Sequence, residues 1–194
     1  MKKSKQWIAH LLILFLCFTA IPVCESKAQG STTLSGVAHV QTYGNQNGKI
    51  TTENGVETLT LGTRGQAKRV ESVTINFVNN TGYTGTIQYQ VHRQTYGWTD
   101  WVNAGTPAGT TGEAKRLEAI NISLDNGSGI DGDINYKVHV QNLGWTDFCA
   151  GGENAGTEGK ALRLEAIQIK LTGELAENYD VAYRAHVQNY GWTG

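Results

Sequence analysis

Four short phrases in this sequence set a histidine, a glutamine and an aromatic ring within a few residues of one another. His92 and Gln94 stand before Trp98 and Trp101. His139, Gln141 and Asn142 stand before Trp145 and Phe148, and His186, Gln188 and Asn189 before Trp192. The first copy, His39 and Gln41, is followed by Gly44-Asn45 where the others have glycine and tryptophan. Imidazoles and primary amides exchange hydrogen bonds with hydroxyls, and an indole offers a flat apolar face with one N–H. Such a set suits an amphipathic ligand such as a sugar. A second reading stays open: each tryptophan plugs the core and each His-Gln pair fixes neighbouring backbone. For the tryptophans that follow glycine, the core is the expectation, because one large residue per unit builds a centre.

Charged residues recur as well. Arg69 and Glu71, Arg116 and Glu118, and Arg163 and Glu165 repeat as Arg-x-Glu. Two carboxylates could serve a glycosidase, but that chemistry needs them in unlike environments. Copies related by a repeat sit alike, so structural ion pairs are expected. Cys149 falls where the preceding repeat has Val102, which predicts a small buried hydrophobe rather than a nucleophile. Asp131-Gly132-Asp133 misses the calcium-loop spacing and reads as a polar turn. No phosphate cradle, nucleophile elbow or zinc pattern is present. The expectation is a protein that is not an enzyme, with no metal and no cofactor.

What must position these groups is a repeat. His92, His139 and His186 are spaced by 47 residues, and the Arg-x-Glu phrases keep the same step. The interval from His39 to His92 is longer by 6 residues, which fall between Asn45 and Gly62. Ile134, Tyr136, Val138 and Val140 alternate with polar residues, the period of a half-buried strand. The histidine rows lie on the other face and should meet solvent or another chain. In the Arg-x-Glu phrase the alternation slips between Leu117 and Ile120, between Leu164 and Ile167, and between Val70 and Val73. One extra residue restores the phase, so β-bulges are predicted at Glu71, Glu118 and Glu165. Glycine and asparagine punctuate the connections and no helical period is sustained, so the fold class is all-β. Repeats cover about 34–83, 84–130 and 131–178, with a partial fourth at 179–194. Three units with a leftover half suit a closed pseudo-threefold β-prism or β-trefoil-like body, in which the fourth histidine strand could complete the weak first unit.

Lys2, Lys3 and Lys5 precede an apolar run from Trp7 to Ile21, and Ser26-Lys27-Ala28 fits a cleavage site. Residues 1–28 read as a secretory signal peptide, leaving a single domain at 29–194 that is secreted or bound at the cell surface. That domain carries 12 basic and 16 acidic residues, the wrong balance for nucleic acid. No membrane association is expected once the leader is removed.

The phrases resemble ChW repeats, the clostridial hydrophobic repeats named for a glycine-tryptophan pair. His139 to Trp145, Ala155 to Gly159 and Arg163 to Ile167 match the family pattern, as do His92 to Trp98, Ala108 to Gly112 and Arg116 to Ile120. The resemblance implies an exported Gram-positive protein. It implies partners among polysaccharides, cell-wall glycans or other extracellular proteins.

Overall fold

The structure, a computed structural model, describes residues 32–79, 85–125, 131–177, 185–187 and 191–193. The predicted signal peptide, Gln188 and Asn189 lie outside them. Repeat one contributes β1 (Thr32–Val40), β2 (Gly44–Asn47), β3 (Lys49–Glu53), β4 (Val56–Gly62) and β5 (Val70–Asn79). Repeat two contributes β6 (Thr86–Arg93), β7 (Gly97–Trp98), β8 (Val102–Asn103), β9 (Ala108–Gly109) and β10 (Leu117–Asp125). Repeat three adds β11 (Ile134–Val140), β12 (Gly144–Trp145), β13 (Ala155–Gly156), β14 (Leu164–Leu171) and one turn of helix, α1 (Glu174–Glu177). β15 (Ala185–Val187) and β16 (Gly191–Thr193) close the described chain. The all-β expectation holds.

Each of the three larger sheets is built on one antiparallel pair, a histidine strand beside its Arg-x-Glu strand: β1 with β5, β6 with β10, β11 with β14. The Gly-Trp segment turns back onto the histidine strand through a three-residue loop. Asn142 sits there at φ 64° and Thr95 at φ 75°, conformations asparagine tolerates best. The register of every central pair slips at one residue. His39 faces Ser72 but Val40 faces Val70; His92 faces Ala119 but Arg93 faces Leu117; His139 faces Ala166 but Val140 faces Leu164. The extra residues are Glu71, Glu118 and Glu165, the three predicted bulges. A bulge is what lets apolar residues before and after it reach the same core.

The sheets are joined by exchange of short strands. β9 of repeat two pairs with β5 of repeat one, and β13 of repeat three pairs with β10 of repeat two. β4 of repeat one pairs with β14 of repeat three. The three pairings therefore run in a ring, and β5, β10 and β14 each touch the other two around the core. Tyr89 and Tyr136 pin adjacent sheets. The Tyr89 hydroxyl accepts from Ile75 N–H at 3.0 Å and donates to the Thr106 carbonyl. Tyr136 does the same with Ile122 N–H, at 3.0 Å, and the Glu153 carbonyl. Gly36 takes this position in repeat one, and its carbonyl accepts from Gly48 N–H at 2.8 Å, beside the inserted hairpin β3–β4.

Two expectations need correcting. No sheet closes on itself; each is open, and the edges of the three larger sheets are short strands of two to five residues rather than a barrel closure. Among the described residues the fourth histidine strand, β15, pairs only with β16. No described residue of it pairs with the first unit.

Candidate functional site

Each bulge turns its glutamate toward the histidine of the neighbouring strand. Glu118 is 4% exposed, and its Oε1 accepts from Arg116 Nε at 3.0 Å and Nη2 at 2.8 Å. Its Oε2 lies 3.2 Å from His92 Nδ1. That approach is not aligned as a hydrogen bond, so the buried Nδ1 is in ionic reach of the carboxylate without a directed partner. Repeat three reproduces the set: Arg163 to Glu165 Oε1 at 3.0 and 2.7 Å, and His139 Nδ1 3.1 Å from Glu165 Oε2. In repeat one Arg69 holds Glu71, while the His39 ring is shared between Asn45 Oδ1 at 2.9 Å and Glu71 Oε2 at 3.7 Å. Asn45 thus supplies a hydrogen bond where the other repeats supply an indole. The Arg-Glu pairs are structural ion pairs as expected. Their junction with histidine was not read from the sequence, since His92 and Glu118 meet only through strand register.

Among the described side chains, the tryptophans after glycine do not plug the core. Trp98 and Trp145 are half-buried and stand edge-on to histidine, at centroid distances of 5.5 Å to His92 and 5.3 Å to His139. A two-residue strand at a sheet edge has one flank in water, so a large residue there packs on its cross-strand neighbour instead. Trp98 Nε1–H donates to Glu158 Oε2 at 3.2 Å, a residue of the next repeat. The histidine rows do point away from the core, yet the rings are covered by tryptophan and glutamate rather than open to solvent.

The remaining candidates scatter by role. Gln94 lines a surface depression of 530 Å³ together with His92, Thr95, Gly97, Arg116, Glu118 and, from the next repeat, Gly159 and Ala161. Ala161 is held at φ 55°, as are its counterparts Ala114 at 55° and Ala67 at 50°. A left-handed alanine costs about 1–2 kcal/mol, and here it shapes the rim of that depression. Gln141 is half-buried, with its N–H donating to the Arg163 carbonyl at 3.0 Å, and Asn142 is an exposed turn residue. Trp101 is 43% exposed. His186 pairs with Trp192 across β15 and β16. Cys149 is half-buried against the core, and burial pushes its thiol up from the ordinary value. Asp133 caps its own loop, accepting from Ile134 N–H at 2.7 Å and Gly151 N–H at 3.3 Å. Among the described residues no group of three His, Cys, Asp or Glu could hold a metal, and no helix is long and apolar enough to cross a membrane.

The tips of the first three histidine hairpins carry residues that sequence reasoning passed over. Tyr43, Tyr96 and Leu143 occupy one equivalent position and are 45%, 51% and 62% exposed. Lys68 stands over Tyr43 at 5.7 Å, and Lys115 over Tyr96 at 5.6 Å. The signal was available: these residues recur at the repeat step in the middle of a turn, where an apolar side chain has no core to enter.

The family model for Clostridial hydrophobic W, ChW, matches residues 92–126 and 139–173. The chain carries ChW repeats. No curated protein and no solved structure matches the chain. Each matched ChW segment is divided between two sheets here. Its histidine hairpin and Arg-x-Glu strand build one sheet, while its Ala-Gly-Thr segment seats on the sheet before. The cleft beside His92 is accordingly a joint product of two ChW repeats.

Proposed function

We propose that this ChW protein is an exported, non-catalytic module that binds polysaccharide or cell-wall glycan at clefts shared by successive repeats. The observation that carries the reading is the depression beside His92. Its walls combine a guanidinium, an amide, an imidazole edge and backbone turns, with the Trp98 ring at the histidine. Polar groups fixed in place next to an indole suit a hydroxyl-rich ring. A second such set at His139 supports binding to a repeating polymer, because weak equivalent sites gain avidity there. The ring of strand exchanges supports a pseudo-threefold prism that turns these clefts outward. Both Glu118 oxygens are committed to Arg116 and His92, and Glu165 is held in the same way. Carboxylates held in environments so alike support a binding role over hydrolysis. The leader at 1–28 supports export, and the acidic balance supports a ligand other than nucleic acid.

The test is retention of the protein on insoluble cell walls and on a panel of plant and bacterial polysaccharides. Selective retention on one polymer is expected, reduced several-fold by Gln94→Ala with Trp98→Ala at unchanged circular dichroism. Retention nowhere, with sugar-independent self-association, would replace this reading by a structural or adhesive one. The exposed hairpin tips Tyr43, Tyr96 and Leu143 favour that second reading, as apolar points to which another extracellular protein could bind.

A further inference from the structure

The outer face of the third sheet differs from that of the second. Lys137 on β11 and Lys170 on β14 both hold their ammonium groups over Phe148, at 4.5 and 4.3 Å from the ring centroid. Lys137 is also 5.3 Å from the Trp145 ring, which places the pair next to the His139 cluster. Among the described residues neither lysine has a carboxylate within 4 Å. One repeat earlier the same positions hold Gln90, Ser123 and Trp101, so this paired charge is not a repeat feature. The inserted hairpin β3–β4, found in repeat one only, walls the lysines into a hollow of 320 Å³. Thr58 and Gln168 add polar groups to the lining, and Glu53 is its one acidic residue.

Two unneutralised ammonium groups drawn to one ring repel each other, and an anion between them removes that repulsion while gaining two charge-assisted hydrogen bonds. A hydroxyl and an amide alongside extend the recognition beyond the charge. We infer that this hollow is a subsite for the acidic group of a saccharide, a carboxylate or phosphate held by Lys137 and Lys170 while Thr58 and Gln168 meet the adjoining hydroxyls. The inference rests on the glycan reading and narrows it: the third sheet selects charged polymers, whereas the cleft beside His92 has no such pair. Glu53 opposes the anion and tunes the site downward.

The experiment is isothermal titration of the whole protein at low salt with polygalacturonate, with its fully methyl-esterified form, and with poly(glycerol phosphate). At least one of the two anionic polymers should bind about tenfold tighter than the ester, and added salt should erase the difference. Which anionic polymer wins identifies the source of the charge. Lys137→Gln with Lys170→Gln should abolish the preference for charge, and Glu53→Gln should increase it; all three side chains lie at the surface, and circular dichroism checks the fold. Affinity for both anionic polymers no greater than for the ester, or a preference that survives the double lysine substitution, would overturn the inference while leaving the glycan reading intact. Failure to bind any of the three polymers, together with no retention on cell walls, would overturn both.

Discussion

Gly156→Ala tests whether the seating of one repeat's strand on the preceding sheet holds the body together. Gly156 sits at φ +123°, and a methyl group there would fall on the Glu118 carbonyl oxygen and 2.7 Å from Ala119 Cα. Three residues on, Gly159 sits at φ +67°, where a Cβ would meet nothing within 4 Å. Alanine at Gly159 therefore costs only the left-handed backbone, about 1 kcal/mol. At Gly156 the backbone lies beyond the basin that alanine visits, costing about 1–3 kcal/mol. The clash must also be relieved by withdrawing β13 from β10. That weakens the bond from Thr157 N–H to the Glu118 carbonyl, 2.8 Å long, at about 1 kcal/mol for each bond lost. A total near 3–5 kcal/mol is expected, a large part of the roughly 5–15 kcal/mol that holds a domain together. Urea unfolding followed by tryptophan fluorescence and far-ultraviolet dichroism is the assay. With a slope of about 1–3 kcal/mol per molar, Gly156→Ala should lower the midpoint by more than about 1 M and Gly159→Ala by about 0.5 M. Equal shifts for the two would refute the reasoning, since both the close approach of backbone and the less accessible φ set Gly156 apart from Gly159.

Tyr136→Phe leaves Ile122 N–H and the Glu153 carbonyl without their buried partner and should cost about 1–3 kcal/mol, read as a lower urea midpoint. Burial raises the Tyr89 and Tyr136 phenols above 10.0, so the unfolded chain loses these protons first. Their contribution to stability is complete below pH 10 and declines as pH rises past it; ultraviolet titration should show both phenols ionising only with unfolding, and ionisation in the folded state would contradict their burial. Glu118→Gln removes the charge that joins Arg116 to His92 and should destabilise by about 2 kcal/mol, with Glu165→Gln equal to it; a loss under about 0.5 kcal/mol would mean the network is solvent-screened. The raised thiol of Cys149 should react with iodoacetamide at pH 8 far more slowly in the folded protein than in urea, and equal rates would contradict its packing.

The sequence by itself determined what is local and periodic. Alternation in Ile134 to Val140 sets which side chains face the core, because a strand has no other period available. The slipped phase around Glu118 locates the bulge to the residue, since only one inserted position returns Ile120 and Ile122 to the side of Leu117. The equivalence of the three Arg-x-Glu pairs follows in the same way. Tertiary structure alone decided what meets across long separations. Ala155-Gly156 pairs with repeat two rather than with its own sheet, and nothing in its two residues specifies a partner; the choice belongs to the small Ala119 beneath Gly156 and to Tyr136 reaching across to Ile122. The same distance hid the contact of His92 with Glu118, the half-exposed place of Trp98, and the lysine-lined hollow. That hollow exists because an insertion in repeat one, more than 70 residues before Lys137, folds against the third sheet. Side-chain period is encoded residue by residue, whereas strand exchange is settled by which complete surfaces fit, and that is read only when all three sheets are present together.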